Sequence, residues 1–95
     1  YPKEIEGFID KIPGVSESAV IGVPHADFGE AVVAVIVPTG DEVDVETIQS
    51  HLADTLARFK QPKIAVNVDA LPRNTMGKVQ KNVLRELYEG LFSRN

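Results

Sequence analysis

The stretch Ala31-Val32-Val33-Ala34-Val35-Ile36-Val37 constrains this chain more than any other part of it. A nearly continuous apolar run of this length, ended by a polar turn from Pro38 to Glu42, predicts a deeply buried strand. Upstream, apolar side chains alternate through Val15, Ala19, Ile21 and Val23, which predicts a second, less buried strand before it. Between them Pro24-His25-Ala26-Asp27-Phe28-Gly29-Glu30 reads as a loop from its Pro, Asp and Gly content, so the two strands are expected to pair as an antiparallel hairpin. Ile64 to Val68 predicts a third strand.

Three segments carry helical periodicity. Pro2 suits a first helical turn, Glu4 and Glu6 suit its positive end, and Ile5, Phe8, Ile9 and Ile12 recur at helical spacing until Pro13-Gly14. Asp44 is a good N-cap for a second helix with Val45, Ile48, Leu52, Leu56 and Phe59 on its apolar face and Pro62 marking its end. A final helix is predicted with Val83, Leu84, Leu87, Tyr88 and Leu91 inward. The order helix, strand, strand, helix, strand, helix describes an α+β domain, a small and mainly antiparallel three-stranded sheet with helices packed against it. At 95 residues and 43% hydrophobic content, residues 1–95 make a single domain with one compact core region. The helix pattern begins with no lead-in, as expected of a domain cut from a longer chain.

Composition excludes several classes of function. With 14 acidic against 10 basic side chains, the chain lacks the electrostatic footprint for nucleic acid or an anionic membrane surface. No stretch approaches the roughly 18 apolar residues that span a bilayer, and no basic and apolar leader opens the chain, so a soluble, cytoplasmic protein is expected. The absence of cysteine removes disulfides, thiolate metal sites and thiol nucleophiles together. His25 and His51 have no spaced ligand partners, so no metal site is expected. Asp41, Glu42, Asp44 and Glu46 read as a solvated acidic edge.

The segment that carries chemistry is Leu71-Pro72-Arg73-Asn74-Thr75-Met76-Gly77-Lys78. It has no periodicity and places an arginine, small polar residues and a glycine before a lysine on a turn expected to be exposed and flexible. Gly77 allows close backbone approach to a ligand, and the Lys78 ammonium, on a four-carbon stem, can reach between two anions. This is not a P-loop. Pro72 stands where that pattern needs its first glycine, and Val79 stands where it needs Ser or Thr. No G-x-G-x-x-G occurs either. A solvated loop with an ordinary surface lysine is the plain alternative.

Four segments in order resemble the C-terminal domain of acyl-CoA synthetases, members of the adenylate-forming, AMP-binding enzyme superfamily. They are Tyr1-Pro2-Lys3-Glu4-Ile5-Glu6, the run from Ala19-Val20-Ile21-Gly22-Val23-Pro24 through Phe28-Gly29-Glu30, Phe59-Lys60-Gln61-Pro62-Lys63, and Leu71 to Lys78. Within the family, the runs Val23 to Glu30 and Pro72 to Lys81 resemble the malonyl-CoA synthetase branch.

The resemblance implies an acid-thiol ligase that uses ATP and CoA as co-substrates. A small carboxylic acid attacks the α-phosphate of ATP, and CoA thiol then displaces AMP. Mg2+ is implied as well, bound outside this domain. Lys78 matches the family lysine that supplies a cation for adenylate formation. Phe59, Lys60 and Lys63 are candidates for holding CoA, an aromatic face for adenine and ammonium groups for phosphate. Gln61 departs from relatives that carry a basic residue there. Arg73 either contacts phosphate or caps its loop. Gly29-Glu30 either shapes a hairpin turn or meets the large N-terminal domain, the expected partner, on which this domain rotates between half-reactions. Acetylation of Lys78 is expected to switch the enzyme off by removing its charge.

Two other readings stay open. A freestanding small α+β protein-binding module fits the size. An adenylation-domain C-terminus serving a carrier protein shares the fold, although Val79-Gln80-Lys81 departs from that branch's closing pattern.

Overall fold

The computed structural model describes residues 2–27, 29–53, 55 and 61–93. Helix α1 spans Pro2–Ile9, strand β1 Val15–His25, strand β2 Gly29–Pro38, helix α2 Val45–Leu52, strand β3 Ile64–Asn67 and helix α3 Lys81–Tyr88. The sequence order of elements is therefore the order found. The expected α2 positions Leu56 and Phe59 lie outside the described residues.

The three strands form one sheet in the order β1-β2-β3. β1 and β2 pair antiparallel from Val15↔Pro38 to His25↔Gly29, whereas β3 runs parallel to β2 from Val33↔Ile64 to Asn67↔Ile36. The longer pairing is antiparallel, as expected, and the sheet is mixed. The parallel edge follows from connectivity: α2 lies between β2 and β3, and a crossover through a helix returns the chain in its starting direction.

Both faces of the sheet are covered, which explains the unbroken apolar run in β2. Val20, Ala34 and Ile36 face α1 and α2 and pack with Ile5, Ile9, Ile48 and Leu52. On the other face Ala19, Ile21, Val23, Val33 and Val35 pack with Leu71 and Leu84. Each fully buried Ile, Leu or Val of these layers contributes about 1.5–3 kcal/mol over exposure. The Asn67 side chain closes the first layer, accepting from the Val43 N–H and donating to the Val43 carbonyl, both at 2.9 Å.

Two departures from simple periodicity matter. The register of β1 shifts between Val15 and Glu17. Val15 consequently packs with Val20 and Ile36, while Glu17 falls on the face of Ala19 and Ile21. In α3 only Leu84 of the expected inward residues is fully buried, and Leu87 and Leu91 are 66% and 40% exposed. Tyr88 and Lys81 are half-buried, so α3 is rolled toward their side and turns Leu87, on the opposite flank of Leu84, to solvent.

Candidate functional site

Residues 68–80 lead from β3 to α3. Buried Leu71 anchors their start in the core layer that also holds Leu84. Arg73 and Val79 then pair in an isolated antiparallel bridge, and the Gln80 N–H donates to the Pro72 carbonyl at 2.9 Å. The turn between them is closed by the Gly77 N–H on the Asn74 carbonyl at 3.0 Å. The segment expected to be a flexible turn is thus a hydrogen-bonded miniature hairpin.

Gly77 sits in the left-handed region at φ +82°, and a Cβ built there meets nothing within 4 Å. Its glycine is required by backbone conformation, since the surrounding space is open. Lys78 follows at once and is exposed.

Asn74 holds the backbone of Lys78 on both sides. Its side-chain oxygen accepts the N–H of Lys78 at 3.0 Å and of Met76 at 2.9 Å, while its own N–H donates to the Lys78 carbonyl at 2.9 Å. Arg73 Nη1 donates to the Gly77 carbonyl at 2.6 Å, and its Nη2 pairs with the Glu17 carboxylate of β1. Of the two roles open to Arg73, the structure displays the loop cap. Strand alternation puts Glu17 on the face of Ala19, Ile21 and Val23, the side on which Leu71 and the start of this segment pack.

A second tie lies three residues after Lys78. Lys81 Nζ pairs with Glu6 Oε2 at 2.6 Å, and the same oxygen accepts the Val20 N–H at 2.7 Å. One carboxylate of α1 thereby joins the start of α3 to edge strand β1. Lys3, Glu6, Lys78, Val79, Lys81 and Arg85 wall a groove of about 540 Å³. Four of those side chains are cations and one is an acid already paired with Lys81, a local excess of positive charge on a chain whose net charge is −4. Such a groove favours anionic ligands.

Lys63 lies elsewhere. Its N–H donates to the Val32 carbonyl at 2.8 Å just before β3, whereas the Lys78 hairpin follows the other end of that strand. Three steps of about 3.3 Å from Ile64 to Asn67 put roughly 10 Å between the two ends. Lys63 borders a separate groove of about 750 Å³ with Glu46, Gln49, Gln61 and Pro62, braced by Gln49 Nε2 donating to the Pro62 carbonyl at 2.8 Å. Phe59 and Lys60, the other candidates for CoA, lie outside the described residues. Among the described residues no group of three or more His, Cys, Asp or Glu is placed to hold a metal. No helix among them is long and apolar enough to cross a membrane.

At the β1–β2 hairpin Gly29 has φ +78°, and the Glu30 side chain lies over Gly22, where a Cβ would come within 2.4 Å of its carboxylate. The turn-shaping role of Gly29 is therefore visible.

Sequence reasoning passed over Asn74, Glu17, Glu6 and Lys81. Asn74 carried a signal, since Asn two residues before a turn N–H commonly makes this side-chain loop. The two ion pairs join residues far apart in sequence, for which periodicity offers no cue.

Lys78 is thus held exposed on a braced hairpin, at the border of a groove walled by three further cations. The comparisons define the class: residues 4–78 match the family model described as AMP-binding enzyme C-terminal domain. The chain belongs to that family. It is 47% identical over 88 residues to the long-chain-fatty-acid–CoA ligase FadD13 of Mycobacterium tuberculosis, covering 93% of this chain and 18% of the ligase. It is 42% identical to indoleacetate–CoA ligase of Aromatoleum aromaticum, over 92% of this chain and 17% of that protein. The structure superposes on ATP-bound MatB from Rhodopseudomonas palustris with a TM-score of 0.92 and 57% identity, covering 98% of this chain and 19% of MatB. The chain thus spans about a fifth of the length of the proteins it matches.

Proposed function

We propose that this chain is the C-terminal domain of an ATP-dependent carboxylate–CoA ligase that acts on malonate, and that Lys78 is its adenylation lysine. The observation that carries the reading is the placement of Lys78, exposed on a braced hairpin beside a cationic groove, at the last residue of the family match. In the first half-reaction a carboxylate oxygen attacks the α-phosphorus of ATP, and pyrophosphate leaves. Two anions must meet, so a positioned ammonium stabilises the transition state more than the separated reactants. In the second, the CoA thiol attacks the acyl carbonyl and AMP leaves.

Lys63 and Lys78 border different grooves, which supports a division of labour with Lys63 serving CoA and Lys78 serving ATP; Phe59 and Lys60 are the further candidates for CoA by resemblance alone. A large N-terminal domain supplies the acyl pocket and the Mg2+ site. Malonate is favoured by the likeness of residues 23–30 and 72–81 to the malonyl-CoA synthetase branch. The test is pyrophosphate release by the full-length protein with malonate, a long-chain fatty acid and indoleacetate in parallel. Malonate is expected to be turned over with the highest kcat/KM; preference for either other acid would remove malonate and keep the ligase reading.

A further inference from the structure

We infer that Asn74 is a positioning residue for Lys78, holding the backbone from which the lysine reaches its anionic target. The inference rests on the reading of Lys78 as the adenylation lysine and adds the residue that sets its geometry. Lys78 itself begins no helix and packs against no core; α3 starts only at Lys81, and Lys78 is exposed. Its backbone is fixed instead by hydrogen bonds, and both of its own peptide groups go to one residue. The Lys78 N–H donates to Asn74 Oδ1 at 3.0 Å and the Lys78 carbonyl accepts from the Asn74 N–H at 2.9 Å.

The first of these bonds exists only because of the side chain. An alanine at 74 keeps the backbone bond and loses the acceptors of both Met76 and Lys78 N–H groups. The rest of the hairpin stays tethered, because Arg73 binds the Gly77 carbonyl and Glu17 on one side, and Lys81 binds Glu6 on the other. Those tethers separate position from folding: removing the Asn74 oxygen frees Lys78 within a hairpin that stays in place. Exposed side chains surround Asn74, so no core packing is disturbed.

A reacting group displaced by about 1 Å can lose on the order of 10²-fold in rate. Loss of one of the two restraints on Lys78 is expected to cost roughly 10-fold or more in adenylation kcat, within that limit. KM for ATP and for the acid stays within about twofold, because ground-state binding does not depend on this bond. Asn74→Asp keeps an acceptor oxygen at the same place and, at raised salt that screens its added charge from Lys78, recovers most of the rate.

The experiment uses the full-length protein in four forms: wild type, Lys78→Ala, Asn74→Ala and Asn74→Asp. Each is assayed for acid-dependent pyrophosphate release and, separately, for thioester formation from presynthesised acyl-adenylate. The expected result is a fall in kcat of pyrophosphate release for Asn74→Ala, recovery in Asn74→Asp, and thioester formation unchanged in both. If Lys78→Ala abolishes adenylation while Asn74→Ala does not slow it, the positioning role is overturned and the lysine reading stands. Equal losses in both half-reactions, or an Asn74→Asp variant no faster than Asn74→Ala, also overturn it. If Lys78→Ala adenylates normally, the lysine reading itself fails.

Discussion

Replacing Glu6 tests how the element that follows Lys78 is tied to the rest of the domain. Its carboxylate makes two bonds from one oxygen, to the Val20 N–H at 2.7 Å and to Lys81 Nζ at 2.6 Å. The side chains of Lys81 and Glu6 are 26% and 16% exposed, so the pair lies between a surface and a buried ion pair. A hydrogen bond from an amide to a carboxylate contributes about 1.5–3 kcal/mol. Breaking a surface pair costs about 0–1 kcal/mol and breaking a buried one about 3–5, which puts this pair at about 1–2. Glu6→Ala loses both and leaves an N–H of edge strand β1 without its acceptor, for a total of about 2.5–5 kcal/mol. Glu6→Gln offers its amide oxygen to the same N–H and loses the pair and the charge assistance, about 2–3 kcal/mol. Urea unfolding of wild type and both variants measures these values, and the exchange rate of the Val20 amide reports the strand bond directly. Salt at 1 M, where the Debye length is about 3 Å, narrows the gap between wild type and Glu6→Gln. Equal destabilisation by Ala and Gln would refute the assignment of half the effect to Val20, and losses below about 0.5 kcal/mol in both would refute the tie altogether.

Two further outcomes follow from side chains that cap or clamp backbone. Asn67→Ala removes both partners of Val43 and is expected to lower stability by about 2 kcal/mol in urea unfolding, at about 1 kcal/mol per bond; an unchanged midpoint would mean that water replaces them. At Asp44 the Thr47 hydroxyl, and then the Thr47 N–H, donate to the carboxylate and hold its pKa below the ordinary value against a smaller opposing effect of desolvation. A folded pKa below the unfolded one means that this contribution is fully present above the unfolded value, near pH 4, and is lost as pH falls through the folded value. Asp44→Asn removes that titration, so its stability difference from wild type closes as pH falls below about 4; a gap that persists at pH 2 would contradict the shift.

Much of the fold could be read from local pattern. The apolar run at 31–37 and the alternation before it gave β2 and β1, and Asp44 marked the start of α2 through its side chain, as its bond to the Thr47 N–H at 2.9 Å bears out. Pattern failed where a face is decided by neighbours distant in sequence. Nothing around Leu87 or Leu91 records that α3 rolls toward Tyr88, and nothing in residues 15–17 announces the register shift that moves Val15 to the opposite face from Ala19 and Ile21. The mixed sheet was within reach, because a strand, a helix and a strand in succession call for a parallel crossover. For the site, the motif located Lys78 and Gly77. Pairs such as Glu6 with Lys81 and Glu17 with Arg73 join opposite ends of the chain and become visible only in three dimensions.

The most direct measurement of the central claim compares wild type and Lys78→Ala of the full-length protein in the two half-reactions. Loss of one positioned electrostatic contact costs on the order of 10²- to 10³-fold. Malonate-dependent pyrophosphate release is therefore expected to fall by about that factor in Lys78→Ala, while thioester formation from presynthesised malonyl-adenylate persists. Unchanged pyrophosphate release would contradict the account at its central residue.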